Sequence, residues 1–203
     1  MTPRISPLAH RAAPAPSGLA IGLSEVTGRG MIDLRGRPDD AAFLAAAGSI
    51  IGLDLPREPR TSVSRDDVTI LWLSIDQWLV TLPHGEVAST RDRLDGALAG
   101  IFSHHVDMSD ARAIIRLEGD GAREVIMKGA AVDLTDPVWG PGRVRRMLFA
   151  GISAMFHIVQ VEPDTIDLYV FRSYADYAWD WLLATAGERA RVRLYGRQRP
   201  PAV

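Results

Sequence analysis

An α+β fold made of two similar β-α-β-β-α halves is what this sequence predicts, and three observations predict it. A strand closed by glycine, 32–36 and again 115–119, is followed each time by an aspartate-led helical stretch (39–48 and 120–129) and a short hydrophobic exit (53–56 and 132–134). Each copy continues into apolar strands, 69–74 with 77–82 and 155–160 with 166–171, and then into a second helix, about 86–100 and 174–186. With 203 residues and 47% hydrophobic content, the chain has the material for a sizeable core. Such a repeat implies two ferredoxin-like halves, about 30–102 and 105–187, sharing strands or faces.

Taken in order, residues 1–17 contain four prolines and no periodicity, which reads as an extended N-terminal arm. The body, 18–188, is a single α+β domain built from the two halves. Both alternating faces of 70–73 are apolar, as a strand covered on both sides requires, whereas Arg112 and Arg116 put charge on one face of 112–116. The sheet is therefore expected to be half covered by helices and half by something else. Residues 189–203 form a short strand, with Arg191 and Arg193 on one face and Val192 and Leu194 on the other, and a Pro-rich tail.

The last helix carries the densest pattern. Ser173 is a natural N-cap with Asp176 three residues on, and Tyr174, Tyr177, Ala178, Trp181 and Leu182 form a stripe that would face a core. Trp179 and Leu183 fall outside it, beside Ala175 and Ala186, so the apolar surface is wider than one sheet should cover. Two readings stand: a wide groove within the chain, or a partner subunit over an exposed Trp179.

Composition excludes several classes. A net charge of −2 with basic residues spread along the chain lacks the footprint of a nucleic-acid binder. The absence of cysteine removes disulfides, thiolate nucleophiles and cysteine-based metal sites. No apolar run is long enough for a membrane span, and the N-terminus lacks the apolar core of a secretory signal, so a cytoplasmic protein is expected.

Residues with chemical potential are sparse. His105, Asp107 and Ser109 would share a strand face next to His104, but two candidate ligands without a clear third read as a polar strand entry, not a metal site. Gly119-Asp120-Gly121 sits where a phosphate turn would, yet the third glycine of the dinucleotide fingerprint is missing and Asp120 would repel a pyrophosphate. Asp107 and Ser109 lack a neighbouring histidine that would make a base–nucleophile pair, and Asp107 reads as a turn cap. Arg172 opens the terminal helix, and Arg143, Arg145 and Arg146 form a basic run whose default is a solvated edge, with a dock for an acidic partner as the alternative. The expectation is no catalytic, cofactor-binding or metal residue in this chain.

The segments 6–10, 71–80, 106–109, 116–119, 122–129, 133–134, 141–142 and 172–182 resemble the gamma subunit family of heterotetrameric sarcosine oxidase. Relatives often carry cysteine where this chain has Ala130 and near Arg143-Val144, so a thiol-dependent property of the family would be absent here. The resemblance implies a fold related to the folate-binding domain of aminomethyltransferases. It also implies a non-catalytic subunit assembled with alpha, beta and delta subunits, the complex demethylating sarcosine oxidatively with methylenetetrahydrofolate and hydrogen peroxide as products. FAD, FMN, NAD and tetrahydrofolate would then lie in partner subunits, as expected of a scaffold around cofactor chemistry. The alternatives are the equivalent subunit of a related N-methyl amino acid oxidising complex, or a stand-alone folate-dependent protein. Within that assembly Ile5, Leu8 and His10 of the arm, with Trp179 and Leu183, are the expected interface residues, because the arm alone has too little apolar area to offset chain entropy.

Overall fold

Alternation along the central strands divides their side chains between two faces, and both faces are buried. The computed structural model describes residues 5–11 and 21–187, which hold ten strands and four α-helices. One antiparallel sheet runs, in spatial order, β3 (Ser62–Arg65), β4 (Val68–Ser74), β5 (Gln77–Pro83), β2 (Arg29–Gly36) and β6 (Ser103–Asp107). The second runs β8 (Val144–Phe149), β9 (Ile152–Gln160), β10 (Thr165–Phe171), β7 (Arg112–Glu118) and β1 (Gly22–Glu25). Helices α1 (Ala41–Ile51) and α2 (Val87–Ala97) follow β2 and β5, and α3 (Ala122–Gly129) and α4 (Ala175–Ala186) follow β7 and β10.

The two orders are the same with each first strand exchanged. Both halves run β-β-α-β-β-β-α, but β1 pairs with β7 of the other half and β6 with β2. Each sheet keeps a ferredoxin-like order, β6-β2-β5-β4 and β1-β7-β10-β9, with β3 or β8 added at one edge. Even the short 3₁₀ turn ahead of the second helix is repeated, His84–Glu86 before α2 and Arg172–Tyr174 before α4. The expected sharing of strands and faces is thus realised in both senses.

Burial follows from this arrangement. Ile32, Leu34, Phe43, Trp78, Val80 and Leu94 pack between the first sheet and α1 and α2. Ile115, Leu117, Ile126, Phe156, Leu168 and Leu182 do the same beneath α3 and α4. The alternate residues Met31, Leu71, Leu79, Ile114, Val144, Met155 and Tyr169 fill the space between the sheets. What covers the second face of each sheet is therefore the other sheet.

Local chemistry differs between the copies. Asp40 caps α1 by accepting from the amides of Ala42 and Phe43 at 2.9 and 3.1 Å, and Gly52 ends that helix with φ 85°. In the second half the capping aspartate is absent from its expected role: Gly121 occupies the cap of α3 without a side-chain bond. Gly36 closes β2 because a Cβ there would lie 2.4 Å from the Phe43 ring, whereas Gly119, just after β7, is needed for its φ of 114°.

The terminal helix corrects two expectations. Ser173 does not cap it, since residues 172–174 form the 3₁₀ turn and Tyr174 takes the cap position without a side-chain bond. The buried stripe is Ala175, Ala178, Trp179, Leu182 and Ala186, while Tyr174 and Tyr177 reach the surface. Three alanines let the helix lie close to the sheet, and Tyr177 keeps its hydroxyl wet while donating to the carbonyl of Ala150 at 2.7 Å. Trp179, expected to be exposed, is 5% exposed and belongs to the internal core. Residues 1–4 and 12–17 of the expected arm, and the expected strand and tail from 189 on, lie outside the described residues.

Candidate functional site

The N-terminal segment 5–11 is fastened to its own chain. Leu8 is buried in the core beneath α4. Around it, Ser6 bonds to Glu25, Arg172 donates to the carbonyl of Ile5 at 2.9 Å, and His10 and Arg11 bind Asp176 at 2.8 and 3.0 Å. Arg11 also reaches Asp180 at 2.7 Å. The hydrogen bonds that Arg11 donates to Asp180 and Asp176 raise its pKa. Leu8 is therefore covered by this chain's own core, next to the arm's ion pairs with Asp176 and Asp180 of α4. Leu183 is half-buried against the same core, so of the five expected interface residues only Ile5 and His10 are exposed, and His10 is engaged by Asp176.

The inter-sheet layer ends in a polar cleft of about 590 Å³ whose Asp167 and His157 sequence reasoning did not single out. Arg116, Asp167 and His157 lie in register across β7, β10 and β9. Arg116 grips Asp167 bidentately, Nε to Oδ1 at 2.7 Å and Nη2 to Oδ2 at 2.9 Å, which raises the guanidinium pKa. Burial, partly opposed by Asp167, pushes His157 down to about 4. Across the gap the Ser62 hydroxyl donates to the carbonyl of Gly142 at 3.1 Å and lies 2.9 Å from His157 Nε2. With the serine proton committed, His157 is the donor in that contact. The pair therefore staples the sheets and is not poised to activate a serine. Tyr169, also in the cleft, has its pKa raised by burial. The available signal was a charged or titratable residue inside an otherwise apolar strand.

The remaining candidates go separate ways. His105 bonds Asp95 at 2.7 Å, while Asp107 accepts from the amide and hydroxyl of Ser109 at 2.9 and 2.5 Å, the turn cap expected of it. Ser109 in turn accepts from the Met31 amide at 3.0 Å. At Gly119-Asp120-Gly121 the Gly119 amide donates to the Asp164 carbonyl and that of Ala122 to the Gly119 carbonyl. Arg143 pairs with Glu58 at 2.8 Å, Arg145 lies over the Trp139 ring, and Arg146 is exposed. Burial first, and the like charge of Arg146 second, lower the pKa of Arg112.

Residues 35–188 match the model of the sarcosine oxidase, gamma subunit family. The chain belongs to that family. It is 27% identical over 193 residues to the sarcosine oxidase subunit gamma of Corynebacterium sp. (strain U-96), with 91% of each chain covered. The fold is similar to a chain of the heterotetrameric sarcosine oxidase from Corynebacterium sp. U-96 in complex with pyrrole 2-carboxylate, at a TM-score of 0.82, 24% identity, and coverage of 94% of this chain and 98% of that one. Aminomethyltransferase T of the glycine cleavage system from Bartonella henselae shares it more distantly: TM-score 0.56, 16% identity, 86% of this chain and 50% of that chain. The expected kinship with the aminomethyltransferase fold is thereby shown. No helix among the described residues is long and apolar enough to cross a membrane.

Proposed function

We propose that this chain is the non-catalytic gamma subunit of a cytoplasmic heterotetrameric sarcosine oxidase. It assembles with alpha, beta and delta subunits that hold FAD, FMN, NAD and tetrahydrofolate, and its role is to support the complex that demethylates sarcosine. The family match over 35–188 carries this reading. The site geometry is compatible with it: in the cleft Arg116 is held by Asp167 and Ser62 contacts His157, and at the turn before α3 the amides of Gly119 and Ala122 are bonded within the chain.

The test is co-expression with the flavin-carrying subunits. A tagged wild-type chain should retain them through purification, giving a yellow complex that makes peroxide with sarcosine, and the isolated chain should be colourless. Stoichiometric flavin in the isolated chain would overturn the non-catalytic role. A complex reduced by another N-methyl amino acid in place of sarcosine would move the assignment to the related oxidising complex.

A further inference from the structure

The edges of the two sheets touch at one crossing, where Ser62 donates its amide to the Gly142 carbonyl at 2.7 Å and Val144 donates to Arg60 at 2.9 Å. The polar cleft opens on the β3 side of this crossing. On the β8 side is a second groove, of about 580 Å³, lined by residues that include Arg60, Trp72, Leu73, Arg146 and Leu148.

β8 is the outermost strand of its sheet. Two hydrogen bonds fix which way its backbone faces: the Arg143 carbonyl accepts from Ile158 of β9 at 2.9 Å, and the Val144 amide points outward to Arg60. Successive residues of a strand turn their N–H and C=O to opposite edges. Arg146 and Leu148 therefore follow Val144 and present their backbone groups outward, into the groove. Their side chains share the face of Val144, which is buried between the sheets. Leu148 is nevertheless 69% exposed, an apolar side chain on an open edge.

The charge is one-sided. Arg143 is neutralised by Glu58, but Arg60 and Arg146 carry no ion pair among the described residues. An open strand edge is a template for another strand, and these arginines select its sign. A second copy of β8 laid on this edge would bring like charges together, which disfavours self-pairing.

We infer that the outer edge of β8 receives an extended acidic segment of a partner subunit, whose backbone pairs with Arg146 and Leu148 and whose carboxylates reach Arg60 and Arg146. This is strand addition, in which main-chain bonds supply affinity and side-chain contacts supply selectivity. It rests on the subunit role proposed above.

The experiment uses the full chain co-expressed with the flavin subunits and compares amide hydrogen exchange of residues 144–149 in the free chain and in the purified complex. Exchange at Arg146 and Leu148 should slow by about tenfold or more on assembly. The double variant Arg60→Glu/Arg146→Glu, checked for an unchanged melting temperature, should retain about tenfold less flavin on the tag, and raising salt should weaken capture of the wild type. If the wild-type chain retains the flavin subunits while 144–149 exchange as in the free chain, the inference is overturned and the subunit role stands. Failure of the wild type to retain any flavin overturns both. Protection of 144–149 that grows with the concentration of the isolated chain assigns the edge to a second copy and also overturns the inference.

Discussion

Acid should unfold this protein partly through one histidine. His157 is 5% exposed, and its folded pKa is about 4 against an ordinary 6.5. The folded state therefore prefers the neutral ring, while the unfolded chain takes up a proton as pH falls through 6.5. Stability from this group is complete above that value, declines at about 1.4 kcal/mol per pH unit, and levels off below about 4, a total of about 3 kcal/mol. Urea unfolding of the full chain at pH 8, 6.5, 5.5 and 4.5 would measure it, with His157→Gln as reference because glutamine can still donate to Ser62. Carboxylates titrate in both proteins, so the informative quantity is the difference in unfolding free energy between them. That difference should shift against the wild type by about 2 kcal/mol or more between pH 8 and 4.5. A difference that stays flat across the range would show that His157 is hydrated or charged in the folded state, and the stapling role assigned to it would be wrong.

Other substitutions test the packing. Trp179→Ala should cost the isolated chain about 3–5 kcal/mol in denaturant unfolding, since it empties a core position; unchanged stability would return the side chain to the surface. Leu8→Ala should cost about 2 kcal/mol or more by the same measurement, whereas a free arm would show no loss. Gly30→Ala places a Cβ 2.1 Å from Val87 and 3.2 Å from the backbone of His84. A loss of about 1–3 kcal/mol is expected, and a melting temperature equal to the wild type would mean that α2 shifts freely.

The layered fold was readable because period-two alternation and glycine-closed strands survive in both halves. Strand pairs 69–74/77–82 and 155–160/166–171 appear as β4/β5 and β9/β10 with small shifts at their ends. The exchange of β1 and β6 was hidden, since these are short strands whose partners lie on the far side of a half. On α4 two stripes offset by one residue fit the same helical period. The choice between them depended on how closely the helix approaches the sheet, which favours alanine over tyrosine on the inner face. Leu8 was misread for a related reason: a single leucine in a proline-rich segment looks unable to bury itself until the arm's attachment to α4 is known. The Arg116–Asp167–His157 row required the strand register, which aligns residues from three separate segments.

The exchanged first strands also govern how the chain can come apart. Removing either half at its sequence boundary would strip the other of an edge strand, leaving β7 or β2 with unpaired backbone where β1 or β6 had been. Neither half is then a separable folding unit, and partial unfolding of one should propagate to the other as a single cooperative transition. Pairing Leu23 with Leu117 requires most of the chain to have been made before the second sheet closes. Contacts so distant in sequence make folding slow, and during synthesis the emerging β7 edge depends on an N-terminal strand that has waited through the whole of the first half.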